Sequence, residues 1–311
     1  MLEYTPLDNN QIDIILAEFT AEKALSSTLL SGGSENTNYL VSTDKRRYVM
    51  TICEYKSVPD TQDLADLLEL LARHEFPTSR LVHSLENKSF SLFNDKPVLL
   101  KKYIAGEIIE DLPYNILQSL GQQLGRLHKI KAPDYLPDKP NYGTDKFSIV
   151  ASYAPDSTFY HWLKEMRQTI MDGISPTLPK ALIHADVFYN NVIISKDGTR
   201  ATIMDFEEAC NYYRVFDLGM MIIGLCSEGS TINLKKVRDI LTGYQQENQL
   251  LALEQQSLKL FTAYAATATA YWRHMWFNHL EPDIKMKDHY LIMKNLADHV
   301  MELDDDCFNP V

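Results

Sequence analysis

The sequence predicts an α+β protein of two lobes: a small, mostly antiparallel sheet lobe, then a larger, mostly helical one. Three observations carry this. The first hundred residues set short β-branched and aromatic runs between turn residues, as in "RRYVMTIC", "SFSLF" and "PVLLKKYI". After "YIAGE" the apolar residues recur at helical spacing instead. One stretch interrupts that helical half: "LIHADVFYNNVIISKDGTRATIMDFEEA", residues 182–209, where two apolar strands flank a tight turn.

Taken in order, the first helix is expected after Asp8, because Ile12, Ile15, Leu16 and Phe19 fall on one face. "SGGSENTNYLV" then supplies two glycines and small polar residues between two predicted strands. "RRYVMTIC" reads as a strand, and Leu64, Leu67, Leu68 and Leu71 mark a helix over residues 60–75. Strands are expected around Leu81 and Val82, at "SFSLF" and at "PVLLKKYI". The lobes are expected to be 1–103 and 104–311, and a chain of 311 residues can fill two cores. In the second lobe Leu117, Leu120, Leu124 and Leu127 make one stripe, and Phe159, Trp162, Leu163 and Met166 another. From Arg214 onward the pattern predicts helices only, including "LFTAYAATATAYWRHMWF".

The formal charge of −12 argues against a general nucleic-acid binder, which needs a basic face. Cys53, Cys210, Cys226 and Cys307 lie far apart, without zinc spacing, and read as free thiols in a reducing compartment. The longest apolar run, "FDLGMMIIGLC", is too short to span a bilayer and carries Asp217. The N-terminus has no basic segment followed by an apolar one, so a cytoplasmic protein is expected, with no membrane partner.

The chemistry concentrates on the hairpin. "NVIIS" and "ATIMD" flank "KDGT", and Asp197-Gly198 is a strong turn signal. Asn191 and Asp205 stand seven residues on either side of Gly198 and are expected to face each other, or nearly so, at the hairpin's open end, with a one-residue shift where the turn is bulged or longer. An amide oxygen and a carboxylate oxygen there suit Mg²⁺, a hard cation that keeps waters and accepts phosphate oxygens. Asp186, five residues before Asn191, is placed to receive the proton of a substrate hydroxyl as phosphate transfers. An isolated H-x-D means little; H-x-D, four residues, N, thirteen residues, D-F is far more specific.

These residues resemble the catalytic and metal-binding loops of the protein-kinase-like small-molecule kinases, the superfamily of aminoglycoside phosphotransferases, choline kinases and type II homoserine kinases. The family's H-x-D-x-x-x-x-N falls on His184, Asp186 and Asn191, and its metal-binding Asp on Asp205 in "IMDFEE". "FDLG" resembles a later signature, which implies that Asp217 braces the catalytic loop, with His184 as a further structural support. "LGQQLGRLHKI" is similar to the family's L-G-x-L-H helix, so Gly121, Gly125 and His128 are read as packing and hydrogen-bonding residues. "SGGSENTNYLV", "RRYVMTICE", "LLARHEFPTSRLV" and "GYQQENQL" most resemble type II homoserine kinases.

The resemblance implies a two-lobed protein-kinase-like fold, ATP and Mg²⁺ as cosubstrates, and L-homoserine as acceptor on the way to threonine. It also implies a phosphate lid at Gly33, Ser34 and Asn36, and adenine held by backbone groups at Lys102, Tyr103 and Ile104. Two features depart from it. The strand position where protein kinases carry Lys is Thr51, and Asp63 is the weak candidate for the helix carboxylate that pairs with that Lys. Candidate acceptor lining is Glu207, Glu208, Tyr212, Arg214, Tyr271, Trp272, Arg273 and Trp276, with Arg273 for a carboxylate and Glu207 for an ammonium. Choline or ethanolamine kinase activity is the alternative, since "DFEEACNYYRVFDLG" resembles that branch. A catalytically silent nucleotide-binding regulator is the third reading.

Overall fold

Asp8 starts the first helix, α1 (Asn9–Phe19): its carboxylate accepts the N–H of Gln11 while the Gln11 side chain returns to the Asp8 N–H. The computed structural model describes residues 5–30 and 36–308. The chain divides into two compact units, Met1–Ala105 and Gly106–Val311. In the first, α1 is followed by β1 (Ser26–Leu30), β2 (Asn36–Ser42), β3 (Arg47–Cys53), α2 (Val58–Arg73), β4 (Ser91–Phe93) and β5 (Lys96–Lys102). The five strands form one sheet in the order β1-β2-β3-β5-β4, each neighbouring pair antiparallel.

The α1 stripe of Ile12, Ile15, Leu16 and Phe19 packs on Tyr39, Val41, Tyr48, Met50, Ile52, Val98 and Leu100 from the three middle strands. Alternation along a strand places that set on one face. On α2, Ser57 caps the N-terminus and Leu64, Leu67, Leu68 and Leu71 are buried. The strand expected around Leu81 and Val82 shrinks to one bridge, Leu81 to Lys101, with the Val82 N–H on the Leu100 carbonyl. β5 is paired with β3 on one side and with β4 on the other over Lys96–Val98, so only its far end remains for this segment.

The second unit runs α3 (Tyr114–Leu127), α4 (Thr158–Gly173), β6 (Lys180–Ile183), β7 (Val192–Ile194), β8 (Ala201–Ile203), β9 (Cys210–Tyr213), α5 (Arg214–Cys226), β10 (Ser227–Glu228), β11 (Thr231–Ile232), α6 (Leu234–Glu247), α7 (Ala252–Met275) and α8 (Tyr290–Glu302). β6 pairs with β9, β7 with β8, and β10 with β11, all antiparallel. The last pair corrects the helix-only expectation beyond Arg214: a hairpin with two strands of two residues each joins α5 to α6, too short a stretch to carry a periodic signal. The apolar run "FDLGMMIIGLC" is buried all round within α5, which makes it a core helix. No described helix is long and apolar enough to cross a membrane.

Backbones meet closely around α3 and α5. Gly121 on α3 lies against α6, where a Cβ would come within 2.1 Å of the Ile240 carbonyl oxygen. Gly219 on α5 lies against α7, with a Cβ 2.6 Å from the Phe261 carbonyl oxygen. One turn further on, Gly224 touches the loop after β6, and a Cβ there would be 2.1 Å from the Val187 carbonyl oxygen. These are the contacts that seat the helices and the loop against one another.

Candidate active site

β6 delivers the chain to His184, which is fully buried, then to Ala185 in the left-handed region at φ +68, then to the half-buried Asp186. A non-glycine residue holds such a conformation only where its surroundings fix it. Here they do. Asp217, buried in the first turn of α5, accepts the N–H of His184 on Oδ2 and that of Ala185 on Oδ1, both at 2.8 Å. The Tyr142 hydroxyl donates to the Ala185 carbonyl. Burial, with the charges of Asp186 and Glu208 nearby, holds the Tyr142 phenol well above its ordinary range, so it stays a donor.

Two buried histidines near this loop have hydrogen-bond roles set by their partners. His184 Nε2 lies 2.7 Å from the Met204 carbonyl oxygen and must donate to it; its Nδ1 then accepts the Asp186 N–H at 3.1 Å. His128, just after α3, puts Nε2 3.1 Å from Asp217 Oδ2 and Nδ1 2.8 Å from the Tyr244 hydroxyl. With Nε2 donating to the carboxylate, Nδ1 faces the phenol. The backbone at His184 and Ala185 is thus tied through Asp217 to the end of α3 and to α6.

Asn191 sits between the loop and the hairpin. Its Nδ2 donates to the Asp186 carbonyl at 2.9 Å and to Asp186 Oδ2 at 2.8 Å. That fixes the carboxylate and turns the amide oxygen Oδ1 away from it. Asn191 and Asp205 face each other with an offset of one residue, the shift that a different turn allows. The register runs Val192 with Ile203, Ile193 with Thr202 and Ile194 with Ala201, and the Met204 N–H bonds the Asn191 carbonyl, so Met204 stands opposite Asn191. The cause is in the turn. Ser195 pairs with Arg200, and Asp197 accepts from the Ser195 and Thr199 hydroxyls and the Thr199 N–H. The loop is therefore centred half a residue before Gly198, which supplies its φ of +67. Asp205 follows Met204, exposed and itself at φ +63, as the chain leaves the strand.

As donors, Asn191 Oδ1 and the Asp205 carboxylate make an all-oxygen pair with one negative charge, which fits a hard divalent cation. Among the described residues no cluster of three or more His, Cys, Asp or Glu forms a cage. A cation held by this pair would complete its shell with water and phosphate oxygens.

Arg273, near the C-terminal end of α7, is half-buried, and burial lowers its pKa to about 10 against the opposing pull of Asp186 and of Tyr189. Its charge is therefore felt at Asp186. Glu207 lies, half-buried, in the turn between β8 and β9. Tyr271 is core, whereas Trp272 and Trp276 are half-buried and stack at 5.3 Å. Arg214 does not line a site: it clamps Glu254, whose side chain is fully buried, and bonds Asn248 and the Gln249 carbonyl. Tyr212 likewise packs edge-on against Tyr213 and Phe216.

Gly33 and Ser34 lie outside the described residues. In the first unit, Asn36 opens β2 opposite Cys53. Thr51 is 1% exposed and donates its hydroxyl to Asn38 Oδ1 at 2.7 Å. The N–H groups of Lys102 and Tyr103 go to the carbonyls of Arg80 and Arg47, and the Arg47 guanidinium covers the Tyr103 ring at 3.9 Å. The Ile104 N–H makes no hydrogen bond to a described residue. Asp63 is half-buried on α2. A Lys–Glu pair that the sequence reading passed over does form in this unit. Lys96 meets Glu54 at 2.5 Å; burial raises the Glu54 pKa, but Lys96, Thr37 and Thr5 together outweigh it and lower it.

A column of rings runs beside α7. His274 stacks on Phe159 at 4.3 Å and its Nδ1 meets the Tyr153 hydroxyl at 2.9 Å. Burial lowers its pKa to about 4. The unfolded chain takes up this proton near 6.5, so His274 leaves stability intact above pH 6.5 and withdraws it as pH falls toward 4. The expected loss is about 2 kcal/mol by pH 4. Urea unfolding of wild type and His274→Phe across that range checks it: the difference between the two proteins narrows, or reverses in favour of the variant, as pH falls.

The sequence profile described as the Phosphotransferase enzyme family matches residues 26–265, 240 of the 311. A homoserine kinase of Pseudomonas aeruginosa (strain UCBPP-PA14) is 25% identical over 261 residues, 82% of each chain. Among solved structures, the amicoumacin kinase hAmiN in complex with AMP-PNP, Ca²⁺ and Ami superimposes with a TM-score of 0.75 at 18% identity, covering 96% of both chains. A choline/ethanolamine kinase family protein from Mesorhizobium loti gives 0.68 at 16%, over 93% of this chain and 90% of its own. The fold is the protein-kinase-like one of these phosphotransferases.

Proposed function

The chain belongs to the Phosphotransferase enzyme family and is a small-molecule kinase, and from that premise we propose that it transfers the γ-phosphate of ATP to the hydroxyl of L-homoserine. The product is O-phospho-L-homoserine, which suits a role in threonine synthesis. The observation that carries the transfer chemistry is the Asp186 carboxylate, held by Asn191 on a loop whose backbone Asp217 fixes. Asp186 takes the hydroxyl proton; the acceptor oxygen bonds to the γ-phosphorus as the bond to the β-phosphate oxygen breaks, releasing ADP.

Asn191 and Asp205 would hold a divalent cation, expected to be Mg²⁺, which neutralises the phosphate charge when bound. Gly33, Ser34, Asn36, Thr51 and the backbone at Lys102, Tyr103 and Ile104 are proposed to hold the nucleotide, and His184 and Asp217 to support the loop. Glu207 and Arg273 are the acceptor residues, for ammonium and carboxylate respectively. Support for homoserine comes from the name of the Pseudomonas relative and from the N-terminal motifs.

A second reading, choline or ethanolamine phosphorylation, is favoured by Glu207 and Glu208 beside aromatic residues and by the Mesorhizobium likeness. An ADP-release assay of the purified protein with homoserine, choline, ethanolamine and an aminoglycoside decides between them. Homoserine is expected to give the highest kcat/KM. Turnover of choline without homoserine would replace the first reading with the second, and no turnover of any would favour the silent regulator.

A further inference from the structure

Two groups in the second unit lack a protein partner among the described residues, and only one of them, Arg273, has been given a use above. Arg273 is a half-buried guanidinium on which, among the described residues, no hydrogen bond or ion pair ends. His289, at the N-cap of α8, has its Nδ1 buried with no hydrogen-bond partner among the described residues. A buried polar atom without a partner costs free energy, and so does a desolvated cation without a counter-charge. Two such groups near each other mark a place that a ligand completes.

Phe277 links them. Phe277 follows Arg273 by one helical turn, and its ring meets the His289 ring at 6.2 Å. The Arg273 charge also reaches His289, which burial and that charge together keep neutral below its ordinary pKa. The backbone between them begins with a single π-helical turn, Trp276–Leu280, that widens the end of α7. It is clasped to the following segment by the Glu281 and Asp283 N–H groups, on the Trp276 and Phe277 carbonyls, and by Asn278 on the Lys287 carbonyl. The stacked pair Trp272 and Trp276 forms a flat apolar wall on the same stretch.

We propose that Arg273 and His289 together form a subsite for the carboxylate of the acceptor, so that the enzyme selects hydroxy amino acids over amino alcohols lacking a carboxylate. A guanidinium offers a fork of donors that matches a carboxylate's two oxygens, and a neutral imidazole adds one N–H from a second direction. The Asp186 charge is felt at Arg273, as expected of groups that would hold the two ends of one small acceptor. The proposal rests on the reading of Asp186 as the base toward the acceptor, and it adds His289, which the sequence pattern does not single out.

The test compares L-homoserine with 3-aminopropan-1-ol, which is homoserine without its carboxylate, in wild type, Arg273→Gln, Arg273→Lys and His289→Phe. The readout is the ratio of their kcat/KM values. It is expected to fall about 100-fold in Arg273→Gln and about 10-fold in His289→Phe, the scale of losing charged and neutral hydrogen bonds to a ligand. The change should lie in the homoserine KM, and Arg273→Lys should recover part of it. Binding of L-2-aminobutanoate, homoserine without its hydroxyl, is measured in parallel by calorimetry and is expected to require Arg273.

An unchanged ratio with homoserine still turned over overturns the subsite and leaves the homoserine reading standing. Equal loss on both acceptors also overturns it, and assigns Arg273 to the transferring phosphoryl group. If homoserine is not turned over but L-2-aminobutanoate binds through Arg273, the subsite stands and the named substrate falls. Circular dichroism checks that each variant is folded, and His289→Phe carries the test should Arg273→Gln not be.

Discussion

Asp186→Asn is expected to lower kcat by about 10³-fold, within the range that a positioned general base contributes, while the affinity for ATP changes little. The substitution keeps the shape of the side chain and an oxygen for the Asn191 Nδ2 donor, so the loop geometry survives. What disappears is the capacity to take a proton and a negative charge beside the acceptor hydroxyl. Single-turnover rates and nucleotide binding on the same preparation separate the two effects. A kcat within a few-fold of wild type would remove Asp186 from the transfer step.

Asp217→Ala is expected to be the most damaging single change to stability, at about 3–5 kcal/mol, the cost of stranding buried partners of a removed charge. Three donors lose their acceptor together: the N–H groups of His184 and Ala185, and His128 Nε2. None can turn to water, because Asp217, His184 and Ala185 are at 0% exposure and the His128 side chain is also shut in. A domain has only about 5–15 kcal/mol in hand, so the urea midpoint should drop steeply. Asp217→Asn retains one oxygen and should fall between wild type and Ala. Activity should fall with Asp217→Asn even where the protein remains folded, since the amide can accept from only one of the two loop N–H groups and sets its NH2 against the other. A loss below 1 kcal/mol in the Ala variant would mean that the loop has other sufficient anchors.

Much of this was legible in the sequence where a strict period met a capping or turn residue. The α1 stripe after Asp8 and the leucine stripes of α2 and α3 are core-facing in the structure, because burial of one helical face leaves a repeat of 3.6 in the sequence. The H-x-D and N positions were legible because they sit at fixed distances within one short loop. Register was not. It depends on whether the turn at residues 196–199 is centred on Gly198 or half a residue before it, and that is decided by the Asp197 side chain. Long-range partners were also hidden. Tyr142 reaches Ala185 from an irregular loop, His128 reaches Tyr244 on another helix, and Arg214 spends its charge on Glu254. Nothing local in a sequence marks such pairs, because each is made by packing after the chain has folded.

The two glycines of α5 have a consequence for how the loop carrying Asp186 is levelled. Backbone rests directly on backbone above and below this helix, at Val187 on one side and at Phe261 on the other. α5 therefore works as a shim whose thickness is that of a bare polypeptide. Side chains elsewhere in the core can be exchanged and repacked without altering that thickness, whereas a single methyl group at Gly219 or Gly224 would lift the platform on which Asp186 stands.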